Sequence, residues 1–77
     1  MGREEALKVF LASEYMPTHA TASIVREDAD DFLIGLEYDR PAPLTGSVYF
    51  VSKDGLVHSE QCMRAWDKIE AMTEVPA

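Results

Sequence analysis

The sequence predicts an α+β fold: an N-terminal helix, an antiparallel sheet of three to four strands, and a C-terminal helix, with the helices packed on one face of the sheet. Two observations support this prediction. Apolar residues recur at helical spacing near both ends of the chain. Between them, short runs alternate apolar and polar residues, as half-buried strands do. Because the chain has only 77 residues, we expect a single small domain, residues 1–77.

The first segment has the spacing of an amphipathic helix from Arg3 to about Tyr15. Leu7 and Phe10 share one side of this helix, and charged residues occupy the other. Pro17 is expected to end it, because a residue that precedes proline disfavours the α conformation.

Two strands are predicted next, at Thr21 to Glu27 and at Phe32 to Tyr38. The second strand has the clearest alternation in the chain, with Phe32, Ile34 and Leu36 on one face. Residues 27–31 between the strands are rich in aspartate, which bonds its own backbone in turns. We call Glu27, Asp28, Asp30 and Asp31 the acidic turn.

A hairpin is predicted after a loop at residues 39–46, which contains two prolines. Ser47 to Lys53 is a strand, Asp54-Gly55 is a tight turn, and Leu56 to His58 returns as a short strand. Apolar side chains occupy both faces of the strand from Ser47, so either the sheet is covered on both faces or one face is partly exposed.

The last apolar stripe predicts a C-terminal helix with Ser59 as its N-cap and an end near Thr73. The stripe consists of Cys62, Ala65, Trp66, Ile69 and Met72. We expect the core to be formed mainly by Phe10, Phe32, Ile34, Phe50 and Trp66.

The charge balance excludes some classes of function. Seven Lys and Arg against fourteen Asp and Glu give a net charge of −7, and the cations are dispersed along the chain. Such a surface repels phosphate backbones, so we expect no direct nucleic-acid binding. The single cysteine excludes an internal disulfide framework and suits a reducing compartment. With neither a signal peptide nor a run of about 20 apolar residues, no membrane association is expected and the protein is predicted to be cytoplasmic.

Candidate catalytic groups are few. His19 and His58 lie in no sequence signature of nucleophilic catalysis. His58 lies four residues before Cys62, so a thiol activated by a helix N-terminus with a histidine base is one interpretation. The other is that Cys62 is a small hydrophobic residue of the helical stripe. We expect the second, and therefore neither an enzyme nor a catalytic residue.

Metal and cofactor sites are not indicated either. A calcium loop counted from Asp28 would place Phe32 and Leu33 where a ligand and the turn glycine belong. The paired spacings of zinc ligands are missing. The glycines are too far apart to form a phosphate-binding loop. We therefore expect no metal and no cofactor.

The stretch Leu44-Thr45-Gly46-Ser47-Val48-Tyr49-Phe50-Val51-Ser52-Lys53-Asp54-Gly55-Leu56-Val57 resembles the late hairpin of small bacterial immunity-type domains. The resemblance implies a small, acidic, cytoplasmic inhibitor that sequesters a toxin without catalysis. Tyr49 and Ser52 stand where that family has a proline and an aspartate, so no functional residue is carried over.

The leading hypothesis is a non-enzymatic protein-binding module. It is either an inhibitor or immunity-like protein of a basic partner, or a small adaptor encoded with its partner. The expected interface combines carboxylates that steer the partner with one aromatic side chain. It comprises Glu27, Asp28, Asp30, Asp31, Glu37, Asp39 and Tyr49. One alternative is a homo-oligomer, such as a homodimer, that uses sheet edges or the face carrying Tyr49 and Val51. Another is an acidic mimic of nucleic acid, for which the sequence lacks regularly spaced carboxylates.

Overall fold

A computed structural model describes residues 1–41 and 46–76 of the chain. Its helices are α1 (Arg3–Leu11) and α2 (Cys62–Ala71), and its strands are β1 (Ala20–Glu27), β2 (Asp31–Tyr38), β3 (Ser47–Ser52), β4 (Val57–Gln61) and β5 (Thr73–Glu74). The strands form one antiparallel sheet in the order β4-β3-β2-β1-β5. The α+β fold is confirmed, and the described residues form five strands where three to four were expected.

The two helices lie on opposite faces of the sheet, so the expectation that both cover one face was wrong. One hydrophobic cluster joins α1 to the sheet and contains Ala6, Phe10, Ala22, Phe32, Ile34 and Val51. A second cluster joins α2 to the sheet and contains Leu33, Phe50, Ala65 and Met72. Because successive strand residues point to opposite faces, the neighbours Phe32 and Leu33 belong to different clusters. Apolar residues on both faces of β2 and β3 therefore require one helix on each side.

Two aromatic residues occupy places that differ from those expected. Trp66, which was expected in the core, is 54% exposed. Tyr49, which was expected at an interface, is half-buried, and its ring centroid lies 5.8 Å from that of Phe10 and 5.5 Å from that of Tyr15. Val51 on the same face is fully buried. The face carrying Tyr49 and Val51 is covered by α1 and does not offer an oligomer interface.

The start of α2 also differs from the expectation. Ser59 is not an N-cap but a residue of β4, where it pairs with Tyr49 of β3. The ladder between β3 and β4 continues to Gln61, and α2 begins directly after it at Cys62. Gln61 makes no side-chain cap to the helix. Pairing with β3 therefore extends β4 past Ser59, the residue at which the local capping preference predicted the start of a helix.

The helix α1 ends at Leu11, earlier than the expected Tyr15. The hydroxyl of Ser13 donates a hydrogen bond to the carbonyl oxygen of Phe10 at 2.6 Å. A side chain that bonds the backbone in this way competes with the next helical hydrogen bond. The chain therefore leaves the helix four residues before Tyr15, well ahead of Pro17.

The predicted hairpin between β3 and β4 is confirmed. The amide of Gly55 donates to the carbonyl of Ser52 at 2.9 Å, and the amide of Ser52 donates to the carbonyl of Leu56 at 2.8 Å. Gly55 has φ +89°, the left-handed conformation that closes a three-residue hairpin loop. The loop predicted before this hairpin falls partly on residues 42–45, which lie outside the described residues.

Candidate functional site

The acidic turn is built around the side chain of Asp28. Its Oδ1 accepts hydrogen bonds from the amide of Asp30 at 2.9 Å and from the amide of Asp31 at 2.8 Å. The amide of Asp28 in turn donates to the carbonyl of Asp31 at 3.0 Å. This is the local bonding that makes aspartate a turn residue. The carboxylate of Asp28 therefore fixes the backbone conformation of the turn.

Lys68 of α2 connects the helix to this turn. Its Nζ lies 2.7 Å from Oδ2 of Asp31 and 3.2 Å from Oδ2 of Asp28. The hydrogen bond to Asp31, aided by the one to Asp28, raises the pKa of Lys68 against the opposing effect of burial. Burial raises the pKa of Asp28, but its two backbone hydrogen bonds and Lys68 outweigh that effect and hold this pKa below its usual value. One cation thus satisfies two carboxylates.

Asp31 has a second partner in His58 of β4. The imidazole Nε2 lies 3.1 Å from Oδ1 of Asp31, and the ring stacks on Phe50 with centroids 5.3 Å apart. Asp31 is 8% exposed. Burial raises its pKa, but the hydrogen bonds and charges of Lys68 and His58 outweigh that effect and lower the pKa overall. In residues 1–41 and 46–76 no hydrogen bond joins His58 to Cys62, so the structure places His58 in a hydrogen-bonded cluster with Asp31 and Lys68.

Glu27, the remaining member of the acidic turn with an ion pair, is held by two cations. Arg3 of α1 donates to Oε1 of Glu27 from two of its nitrogens, and Nζ of Lys53 lies 3.1 Å from Oε2. The hydrogen bond from Arg3, followed by that from Lys53, lowers the pKa of Glu27. The same ammonium lies 3.9 Å from the centroid of the Phe32 ring. Glu27 thus links α1, the first hairpin and the second hairpin.

The structure does not bring the seven predicted interface residues together. Three carboxylates of the acidic turn are paired within the protein, and Tyr49 lies against α1. Glu37 and Asp39 are exposed at the far end of β2, roughly 20 Å from Asp31 along the strand. The carboxylate of Asp39 lies 3.6 Å from Nε of Arg40. Asp30 at the turn is exposed as well.

A different surface has the exposed apolar side chains that an interface needs. Met63 is 91% exposed and Trp66 is 54% exposed. They share one side of α2 with two exposed carboxylates. We call this surface the open flank; it consists of Met63, Trp66, Asp67 and Glu70. Cys62 and three of these residues line an open depression of about 470 Å³.

Helix geometry explains why the open flank faces solvent. Ala65 packs against the sheet at 5% exposure, and Trp66 lies about 100° further round the helix. The rest of the open flank lies beyond Trp66 on the same side. Lys68 lies on the other side of Ala65, where it reaches the acidic turn. One side of α2 therefore contacts the sheet and the acidic turn, and the other side faces solvent.

The sheet beside the open flank is also uncovered. On the α2 side of β1 and β2, Thr21, Ser23 and Glu37 are exposed, and we call these residues the open half-face. Val25 is the extra residue of a β-bulge, and its side chain lies directly over Gly35. A Cβ at Gly35 would be 2.5 Å from Cγ1 of Val25. A side chain at position 35 would overlap Val25, so Gly35 marks the close approach of the neighbouring strand at a β-bulge.

The open flank was not predicted, because the spacing of apolar residues in the helical stripe does not show where the buried side of the helix ends. Trp66 fits the stripe as well as Ile69 does when spacing alone is considered. Met63 is the signal that could have revealed the surface, since it is a large apolar residue outside the stripe. Its neighbours on the same side, Asp67 and Glu70, are charged, which predicts exposure.

Comparison of the chain with protein-family models, curated proteins and solved structures gives no match. The resemblance to immunity-type domains stays a prediction. Within the described residues, no helix is both long and apolar enough to cross a membrane. In the same part of the chain, no group of three His, Cys, Asp or Glu side chains is placed to hold a metal ion.

Proposed function

We propose that this protein is a non-enzymatic protein-binding module that recognises a basic, partly apolar segment of its partner through the open flank of α2. The observation that carries the proposal is the exposure of Trp66 beside Met63, with the carboxylates of Asp67 and Glu70 on the same side of the helix. Large exposed apolar side chains with a polar rim are typical of protein interaction sites.

The apolar part of the open flank supports a useful binding energy. Burial of the exposed parts of Trp66 and Met63 would contribute roughly 2–4 kcal/mol. Tryptophan is enriched among the few interface residues that dominate binding, and methionine adapts its shape to a partner. We therefore assign the main energetic contribution to Trp66 and an adaptable contact to Met63.

The charges around the open flank favour a basic partner. Asp67, Glu70 and Glu37 of the open half-face form no ion pair with the residues that the structure describes. Against these three carboxylates, α2 carries the exposed cation Arg64 and Lys68, and Lys68 is already shared by two carboxylates. Unpaired carboxylates on a chain of net charge −7 attract cationic segments and raise association rates. Lysine or arginine residues beside an apolar anchor are the matching chemistry.

The helix that carries the open flank is firmly attached to the protein. Besides the contacts of Lys68, Arg26 of β1 donates a hydrogen bond to the carbonyl oxygen of Ile69 at 2.7 Å. The same carbonyl accepts a hydrogen bond from the amide of Met72 at 3.1 Å, and a cation beside the last carbonyls of a helix is favourable. Binding surfaces on rigid elements lose less entropy when a partner docks. In this proposal the acidic turn stabilises the scaffold, and the open flank makes the contact.

Within this class, we propose an inhibitor that sequesters a basic protein, as the resemblance to immunity-type domains implies. Such an inhibitor needs a surface and no catalytic group. The exposed carboxylates Glu37, Asp39 and Asp30 then contribute long-range steering, and Tyr49 orders the scaffold beneath α1. Glu27, Asp28 and Asp31 act through their internal ion pairs.

The test is affinity capture from the cells that make the protein, with matched variants. The variant is Met63→Ala with Trp66→Ala, and the control is Leu56→Ala, which removes a 69% exposed apolar side chain at the β3–β4 turn. We expect a basic protein to be retained by the wild type and by the control, and to be lost from the variant. Retention should fall as salt rises. Equal retention by all three proteins, or an acidic retained protein, contradicts the proposal.

A second measurement addresses the charges, with the retained protein purified and titrated. Asp67→Lys with Glu70→Lys is expected to slow association by about tenfold at low salt and by less at high salt, because rim charges act mainly on the encounter. Asp30→Ser at the acidic turn is the control and should have a smaller effect. If Asp30→Ser slows association more than the double reversal does, the partner binds at the acidic turn.

A further inference from the structure

We propose that a second copy of this chain pairs with the uncovered edge of β1, which would join two sheets of five strands into one continuous sheet across a two-fold axis. This surface is separate from the open flank. The proposal concerns assembly and does not depend on the function proposed above.

The edge exists because β5 is short. It pairs only with Arg26 and Glu27 at one end of β1, and one further hydrogen bond joins the amide of Val75 to the carbonyl of Val25 at 3.0 Å. Residues 20–24 of β1 have β2 on one side. On the other side they have no strand partner among residues 1–41 and 46–76.

Backbone geometry shows which groups are free on that edge. The amide of Asp39 donates to the carbonyl of His19 at 3.1 Å, so these two residues form a hydrogen-bonded pair. Hydrogen-bonded and non-hydrogen-bonded pairs alternate in an antiparallel ladder. The N–H and C=O groups of Ala20, Ala22 and Ile24 therefore point away from β2. Such a row of groups is a template for another strand.

The edge lacks the usual protection against pairing. Its sequence, Ala20-Thr21-Ala22-Ser23-Ile24, contains no charge and no proline. Charged residues and prolines are the common means by which natural edge strands avoid association. The opposite edge of the sheet, β4, carries the titratable residues His58 and Glu60. The two edges thus differ, and only the β1 edge is neutral.

The same five residues are complementary to a second copy of themselves. An antiparallel pair centred on Ala22 places Thr21 opposite Ser23 of the second copy and Ala20 opposite Ile24 of the second copy. Thr21 and Ser23 share the exposed α2 side of the sheet, so hydroxyl groups meet hydroxyl groups. A two-fold interface requires this self-complementarity. A neutral segment also lets two chains of net charge −7 approach without like charges meeting at the contact.

The experiment is sedimentation equilibrium on the full chain at roughly 10 μM to 1 mM, a range suited to a weak interface. We expect a monomer–dimer equilibrium. Thr21→Lys with Ser23→Lys should raise the dimer dissociation constant at least tenfold, because each lysine then faces a lysine of the second copy. Ser59→Lys on the β4 edge is the control and should leave that constant within about twofold.

A mixture separates edge pairing from other causes of dissociation. Thr21→Glu with Ser23→Glu should be monomeric alone and should form a heterodimer when mixed with the double lysine variant, since opposite charges then face each other. A wild type that stays monomeric at 1 mM overturns the proposal, as does a dimer lost in Ser59→Lys or in Trp66→Ala but kept in the double lysine variant. Both double variants change exposed side chains, and circular dichroism checks their folding.

Discussion

The acidic turn and the open flank both carry carboxylates, but those of the acidic turn are paired within the protein except for Asp30, whereas those of the open flank are unpaired among the described residues. In the acidic turn, Asp28 and Asp31 share Lys68, and Glu27 is held by two other cations. On the open flank, Asp67 and Glu70 have no cation within ion-pair distance among the described residues. Most carboxylates of the acidic turn therefore stabilise the fold. The carboxylates of the open flank, which are spread along α2, provide unpaired negative charge at the surface.

The largest expected difference lies between the two sides of α2. Phe50 is fully buried beneath the helix, and Phe50→Ala should lower the free energy of unfolding by about 3–5 kcal/mol through the cavity it leaves. Trp66→Ala on the open flank should cost at most about 1 kcal/mol, because that side chain is more than half exposed. Urea denaturation measures both. Similar losses for the two variants would show that Trp66 packs as a core residue.

The next largest effect separates the two sets of carboxylates. Asp31→Asn removes the negative charge that Lys68 and His58 contact and replaces one of its two acceptor oxygens with an NH2 group. We expect a loss of about 2 kcal/mol, the range for hydrogen bonds to charged groups. Asp67→Asn should change the free energy of unfolding by less than about 0.5 kcal/mol. Thermal denaturation of the pair provides the comparison. Equal stability of both variants would contradict a structural role for the acidic turn.

The fold could be predicted from the sequence wherever one local pattern decides the outcome. The alternation around Phe32 and Ile34 gave a strand, and Asp54-Gly55 gave a hairpin. The side of the sheet covered by each helix could not be predicted, because alternation shows two apolar faces without saying which helix covers which face. The strand β5 has two residues, too few for any periodicity.

The candidate site was harder to predict because it depends on contacts between distant residues. The ion pair of Lys68 with Asp31 joins positions 37 residues apart, and no local pattern reveals it. Without that pair, the acidic turn looks like free negative charge. Conversely, Trp66 was assigned to the core because an apolar stripe does not show where burial stops.

A smaller effect tests the close contact between Gly35 and the side chain of Val25 beside the open half-face. Gly35→Ala should cost about 1–2 kcal/mol, because the new methyl group would overlap Cγ1 of Val25. Val25→Ala removes both Cγ methyl groups. In the double variant it should therefore restore most of the free energy of unfolding lost in Gly35→Ala. Chemical denaturation of the cycle measures the coupling. Additive losses would mean that Gly35 is required for another reason.

The smallest effect is the dependence of stability on pH. The pKa values of Asp28 and Asp31 are lowered in the folded protein, so their contribution is present above the unfolded value of about 4 and is lost as pH falls through the folded values. The free energy of unfolding should therefore fall below about pH 4. Asp31→Asn should flatten this acid limb, and Asp67→Asn should leave it unchanged. An identical acid limb in Asp31→Asn would contradict the assignment.

The position of Glu27 has a consequence for the order of folding. Its carboxylate joins Arg3 and Lys53, which lie 24 and 26 residues away in opposite directions along the chain. Each contact joins residues far apart in the sequence, so we expect both to form late and to be missing from the transition state for folding. A contact absent from the transition state acts on the unfolding rate and leaves the folding rate almost unchanged. We therefore expect Glu27 to slow the unfolding of the assembled protein.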